Sequence, residues 1–169
     1  MKTDQLRKYV TAALMAAMTC VATFILHIPT PGGGYIHPGD AFVLLSGIIL
    51  GPLYGSLAAG TGSLLADLLA GYAVYAPATF ILKALAAVVA ALIFRRGKMG
   101  TVILAGFLGG AIITSGYFIY EFFLYGFAGA LKQIPPNGIQ NVSGIILSVL
   151  LFPLLRKIPQ IKEIMDDRV

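Results

Sequence analysis

Four ionisable side chains, Asp40, Asp67, Lys83 and Glu121, stand within or at the edge of stretches that are otherwise almost wholly apolar. Charge in such surroundings is costly and is kept where it binds or neutralises something. Spacing adds to this. Ser63 and Asp67, Thr79 and Lys83, Tyr117 and Glu121, and Asn137 and Asn141 are each four residues apart. Residues at that spacing share a helix face, so each segment would carry one polar stripe. Stripes converging on a common space would offer hydrogen bonds to a small polar molecule. The alternative is internal neutralisation, with Lys83 paired to Glu121 or Asp67 and with Asp40 and Asp67 capping or reaching interfacial water. Nothing points to bond-making chemistry. His27 and His37 are not at zinc-ligand spacing, and neither a G-x-S-x-G elbow nor a phosphate-binding P-loop occurs. The expected activity is binding, with no catalytic residues, no metal, no cofactor and no nucleotide site in this chain.

The elements that must position these groups follow from composition. The chain has 169 residues, 58% hydrophobic and only 11% charged, with mean hydropathy +0.88. A soluble domain carries about 25% charged residues, so these are too few to cover a water-facing surface. The bilayer core, about 30 Å thick, needs roughly 20 apolar residues per helix. Apolar segments run over 8–27, 41–52, 53–70, 76–95, 100–126 and 137–155. Gly51-Pro52 divides the second from the third, because proline favours the first turn of a new helix. The expectation is an all-α membrane protein: one domain over 1–169, with six transmembrane helices, the second one short. The first apolar run is too long for the core of a signal peptide and lacks a cleavage motif. The single cysteine, Cys20, excludes an intramolecular disulfide.

Positive charge orders the loops. Lys2, Arg7 and Lys8 precede the first span, Arg95, Arg96 and Lys98 follow the fourth, and Arg156, Lys157, Lys162 and Arg168 follow the sixth. With six spans these regions share one side. They hold ten of the twelve Lys and Arg residues, leaving Lys132 opposite and Lys83 inside a span. The positive-inside rule places both termini in the cytoplasm. The basic balance is then a topology signal, and no nucleic-acid partner is expected. On this topology all the intramembrane polar groups fall in the outer half, which suits a dead-end outward pocket better than an ion pathway. Tyr35, Tyr72, Tyr75, Tyr117, Tyr120 and Tyr125 gather at the same side. They suit stacking on a flat ring or an interfacial aromatic belt. The loop "GGGYIH", Gly32 to His37, lies there too and reads as a flexible lid carrying Tyr35 and His37, or as an exposed turn.

In the first span, Ala12 with Ala16 and Ala13 with Ala17 form two small-xxx-small pairs, which allow close approach of another helix. That helix belongs either to this bundle or to a partner subunit.

Together the alanine pairs, "YIHPGDAFVLLSG" (Tyr35 to Gly47), "GSLLADLLAGYAVYAPATFILKAL" (Gly62 to Leu85) and "PNGIQNVSG" (Pro136 to Gly144) resemble the substrate-binding S components of energy-coupling factor (ECF) vitamin transporters. The similarity spans nearly the whole chain and is strongest to the riboflavin-type branch, which also includes carriers of pyridoxine or hydroxymethylpyrimidine. It implies a six-helix S-component fold and capture of a water-soluble vitamin from outside, in a prokaryotic cell membrane. It also implies docking of helix one on a transmembrane T subunit, and toppling driven by two cytoplasmic ATPases. On this footing the substrate-binding candidates are Tyr35, His37, Asp40, Asp67, Tyr72, Tyr75, Lys83, Tyr117, Glu121, Asn137 and Asn141. The partner face is Ala12, Ala13, Ala16 and Ala17. Pyridoxine or a hydroxymethylpyrimidine is favoured as ligand, with riboflavin next. The rival is a stand-alone ion-coupled carrier or a small membrane enzyme. A carrier would more typically show inverted repeats and broken midplane helices, which the sequence lacks.

Overall fold

The computed structural model of the chain describes residues 3–30, 34–94 and 98–167. Four long helices are present, α1 (Thr3–Ile25), α2 (Asp40–Leu69), α3 (Ala76–Ile93) and α4 (Met99–Leu155), followed by the short α5 (Pro159–Asp166). Each long helix has the length and apolarity to cross a bilayer. The outer surface of the bundle is apolar, with Leu53, Leu69, Leu92, Phe107, Phe123 and Ile139 largely exposed, as side chains that face lipid must be.

Two of the four are not straight. α2 breaks at Gly51 (φ 87°, ψ −179°) and α4 at Gly126 (φ 73°, ψ 177°). Both angles lie in a region that is essentially confined to glycine. At the first break Pro52 supplies a preset φ for the next helical turn. The arms fold back on each other: a Cβ placed on Gly55 would meet the Ser46 carbonyl, and one on Gly106 would meet Ile145. The four long helices thus give six helical segments, as the sequence leads one to expect. The sixth differs from expectation at its start. The break comes at Gly126, and Pro135 and Pro136 lie inside a helical arm that extends from 127 to 155. A proline pair reads as a loop signal, but neighbouring helices in a membrane bundle can satisfy the backbone groups that proline frees. The positive φ at Gly126 makes the turn instead.

The first arm of α2, 40–50, is the centre of the structure. Its residues are buried on all sides apart from Phe42, and Leu44, Leu45, Ile48 and Ile49 lead the core. A helix apolar all round is one enclosed by others. Gly47 permits this, since a Cβ there would lie 2.0 Å from the Ala87 carbonyl oxygen of α3. At 1.5 Å per residue the arm is about 16 Å long, half a bilayer core. The chain between α1 and α2 must therefore dip into the bundle before α2 can begin. It does so as a two-stranded antiparallel hairpin, β1 (Ile28–Pro29) and β2 (Tyr35–Ile36), with Ile28 opposite Ile36 and Pro29 opposite Tyr35.

Candidate functional site

Below the hairpin, α2 opens with Asp40. Pro38 and Gly39 turn the chain inward, and the Phe42 and Val43 N–H groups both donate to the Gly39 carbonyl, at 2.9 and 3.2 Å. Asp40 is 2% exposed and forms an ion pair with Lys83 of α3, which is fully enclosed. Gln140 donates from Nε2 to the other Asp40 carboxylate oxygen at 2.8 Å. Gln140 Oε1 in turn accepts the backbone N–H of His37 at 3.3 Å. The Lys83 ammonium also lies 5.7 Å from the centre of the Tyr117 ring, within cation–π range. This floor is internally satisfied: both Asp40 oxygens are engaged.

Above it a partly open cavity encloses about 430 Å³, counted out to its mouth. Asp67 from α2, Tyr72 and Tyr75 from the α2–α3 turn, Thr79 from α3, and Tyr117 and Glu121 from the first arm of α4 form one side. Gln133, Pro136, Asn137 and Gln140 from the second arm of α4 form the other. Gly34, Tyr35 and His37 cover it. Asp67 and Glu121 are each only 3% exposed. One oxygen of each is taken: the Tyr35 hydroxyl donates to Asp67 Oδ1, and the Tyr75 hydroxyl to Glu121 Oε1 at 3.3 Å. Asp67 Oδ2 and Glu121 Oε2 have no hydrogen-bond partner. A buried polar atom left unpaired costs about 1–3 kcal/mol, so this wall calls for hydrogen-bond donors from outside the chain.

The hairpin is latched at three points, to α2 and to the second arm of α4. Thr30 donates to Gln133 Oε1 at 3.1 Å, Tyr35 reaches Asp67, and the His37 N–H reaches Gln140. Burial and then the neighbouring Asp67 carboxylate push the Tyr35 phenol well above its ordinary pKa, keeping it a donor. His37 Nδ1 accepts the Gly39 N–H at 3.1 Å and lies 3.2 Å from the Thr23 hydroxyl. A backbone N–H can only donate, so Nδ1 carries no proton and the ring is neutral. Burial lowers its pKa from 6.5 to about 3. Rings run on across the mouth: Tyr35 to His37 at 5.4 Å, Tyr35 to Tyr72 at 4.6 Å, Tyr72 to Tyr75 at 6.4 Å and Tyr75 to Tyr117 at 6.2 Å. These separations suit aromatic contact, and a flat ring could replace or join any of them.

Comparison with known proteins bears on what such a cavity serves. The family model for the S component of the ECF-type riboflavin transporter matches residues 3–157. The chain belongs to that family. It is thus an S component, the substrate-binding membrane subunit of a vitamin transporter rather than an enzyme. A Pyrococcus woesei protein, described as an uncharacterised protein of the gap 3′ region, is 36% identical over 140 residues, covering 81% of this chain and 93% of that one. The solved structure of the S component of a bacterial ECF transporter superposes with a TM-score of 0.70 over 90% of this chain and 97% of that one. At 23% identity this second likeness speaks for the fold.

In this S component, eight of the eleven candidate residues meet at the cavity: Tyr35, His37, Asp67, Tyr72, Tyr75, Tyr117, Glu121 and Asn137. Three do not. Asp40 and Lys83 form the floor pair, so the partner of Lys83 is Asp40 and not Glu121 or Asp67. The sequence put Asp40 at a helix end near the surface; the dipping hairpin carries that end down to Lys83. Asn141 Nδ2 donates to the Gly110 carbonyl and to Thr114 Oγ1, both at 2.8 Å, and ties the two arms of α4 together. Gln133 and Pro136 line the cavity though the candidate set omits them, as do Thr79, already on the stripe with Lys83, and Gln140 and Gly34. Gln140 already falls within the expected sixth span, and Gln133 is one helical turn upstream of Asn137, so extending that helix would have brought it into view. The four alanines of α1 divide. Ala12 and Ala16 pack on the core, whereas Ala13 and Ala17 are exposed.

Proposed function

We propose that this chain captures a small, flat, donor-rich vitamin or precursor in the cavity beneath the hairpin, with pyridoxine or a hydroxymethylpyrimidine favoured and riboflavin next. The observation that carries this is the pair of unpartnered buried carboxylate oxygens, Asp67 Oδ2 and Glu121 Oε2, beside a run of tyrosines. An ionised carboxylate accepts and does not donate. A ligand with hydroxymethyl groups, or the amine of an aminopyrimidine, supplies the missing donors from the edge of a ring that the tyrosines can stack upon. Tyr35, His37, Asp67, Tyr72, Tyr75, Tyr117, Glu121 and Asn137 are the proposed contacts. Asp40, Lys83 and Asn141 hold them in place.

The hairpin side faces outward and both termini face the cytoplasm of a prokaryotic cell, as the placement of basic residues argues. A transmembrane T subunit meets α1, and two cytoplasmic ATPases provide the energy for toppling and release. Ala13 and Ala17, with the exposed Val10, Leu14 and Val21, offer the approach surface.

The direct test is to purify the chain and identify any bound small molecule by mass spectrometry, then titrate pyridoxine, hydroxymethylpyrimidine and riboflavin. Quenching of flavin fluorescence by stacking on the cavity tyrosines reads riboflavin binding. Absence of binding by all three would overturn the ligand class. For the partner face, Ala13→Leu and Ala17→Leu should lower transport severalfold and leave binding by the isolated chain unchanged. Transport at the native rate would move docking elsewhere.

A further inference from the structure

At the end of the bundle away from the hairpin, α4 finishes at Leu155 and the chain turns through Arg156, Lys157 and Ile158 into α5. The sequence of α5, "PQIKEIMD", is sharply two-sided. Ile161 and Ile164 are buried in the main core, and Glu163 is ion-paired with Arg7 of α1. α5 therefore lies across the end of the bundle with its apolar side inward, leaving Lys162 on its exposed side. Between α5 and the two ends of α4 an open groove of about 890 Å³ remains. Met99, Phe152 and Pro153 supply its apolar lining, and Arg156, Lys157 and Lys162 its rim.

We propose that this groove holds the phosphodiester headgroup of an anionic phospholipid, with the start of its acyl chains on Met99, Phe152 and Pro153. The charges favour it: three cations line one groove, and among the described residues no carboxylate lines it. The nearest acid along α5, Glu163, is already engaged by Arg7. Mutual repulsion of the three is relieved by an anion. The apolar lining favours a lipid over a free anion, since a soluble phosphate would leave the half-buried Met99 and the exposed Pro153 uncovered. Position favours it as well. The groove sits where a membrane-crossing helix ends, beside the exposed Leu150, Leu154 and Ile158, at the level where headgroups lie. Basic pockets between helices at this level bind acidic headgroups. A bound lipid would bridge the end of α4 to α5 and hold α5 against the base of the bundle.

The test compares the full chain in nanodiscs of phosphatidylcholine alone and of an equimolar mixture with phosphatidylglycerol. Native mass spectrometry counts retained lipid, and thermal unfolding reads stability. Retention of phosphatidylglycerol with a raised Tm is expected. Arg156→Gln, Lys157→Gln and Lys162→Gln should each lower the preference about fivefold, equivalent to about 1 kcal/mol per cation, and the triple variant should abolish it. Equal retention of both lipids, or full preference in the triple variant, would overturn the proposal. So would competition by inorganic phosphate as effective as that by the lipid, which would make the groove a plain anion site. A triple variant that keeps its lipid preference but no longer assembles with the coupling subunits would assign the groove to an acidic protein surface instead.

Discussion

The floor and the wall of the cavity contain carboxylates buried to the same degree, and they are met very differently. Asp40 has a cation on one oxygen and a carboxamide N–H on the other, and beneath it lies only packed helix. Asp67 and Glu121 each have a tyrosine hydroxyl on one oxygen and nothing on the other. Burial alone would have ranked all three as equal functional candidates. The difference in partners separates them into a scaffold that needs no ligand and a surface that is incomplete without one. A desolvated pair is costly to form and more costly to break from one side, which gives the floor rigidity. An unpaired acceptor costs about 1–3 kcal/mol while the cavity is empty, and a ligand with donors recovers that cost.

The sharpest way to break this contrast is at the floor. Lys83→Met or Asp40→Asn alone leaves the other charge buried without its partner, and each should cost about 3–5 kcal/mol in unfolding free energy. The double variant removes both charges and should regain most of that stability together with ligand binding. Thermal unfolding in detergent, paired with a binding titration, reads both quantities. Single variants that unfold like the native protein but fail to bind would return Lys83 and Asp40 to the ligand-contact set.

The wall should behave in the opposite sense. Asp67→Asn and Glu121→Gln leave no charge stranded, so the unfolding midpoint should stay level or rise slightly. Affinity for a donor-bearing ligand should fall about 10- to 100-fold, as expected where a hydrogen bond to a charged group contributes about 1.5–3 kcal/mol. Unchanged affinity in both folded variants would show that the free oxygens do not face the ligand.

Much of this arrangement is legible in the sequence. Hydropathy and the distribution of basic residues give six segments, and Gly51-Pro52 marks the short second arm because proline and glycine act locally. The i, i+4 stripes find Asp67, Thr79, Tyr117, Glu121 and Asn137 of the cavity lining, since a buried polar face must repeat with the helix. What escapes is non-local. The pairing of Lys83 with Asp40 depends on how deeply the hairpin dips, which depends on an arm half a bilayer long packed among α1, α3 and α4. Gln133 escapes because Pro135 and Pro136 imitate a loop, and only the surrounding helices make the helical path through them tolerable. The division of Ala12 and Ala16 from Ala13 and Ala17 likewise needs the rotation of α1, which its alanine-rich sequence does not mark.

Between floor and wall stands His37, whose N–H hangs on Gln140 while its ring lines the cavity. It offers a graded probe of how firmly the covering hairpin is tied to the scaffold. With Nδ1 accepting the Gly39 N–H, protonation would set two donors against each other. Burial is the leading reason that the ring's pKa falls from 6.5 to about 3, with Asp40 opposing and Lys83 and His27 assisting. A group whose folded value is depressed binds fewer protons folded than unfolded across that interval. Its contribution to stability is therefore complete above about pH 6.5 and declines as pH falls toward 3. The hairpin is tied to the bundle chiefly by single hydrogen bonds, whereas the first arm of α2 is enclosed by packed helices, so the hairpin should open before the bundle does. Hydrogen exchange at the amides of Gly34 to His37, corrected for the intrinsic rate, should quicken by up to about tenfold per pH unit below 6.5 while the amides of Leu44 to Ile49 stay protected. His37→Gln cannot titrate, so its hairpin exchange, corrected in the same way, should be flat over that interval. If the native hairpin were as flat as the variant, or the core opened in step with it, the hairpin would have to be counted as part of the rigid floor rather than as a separable cover.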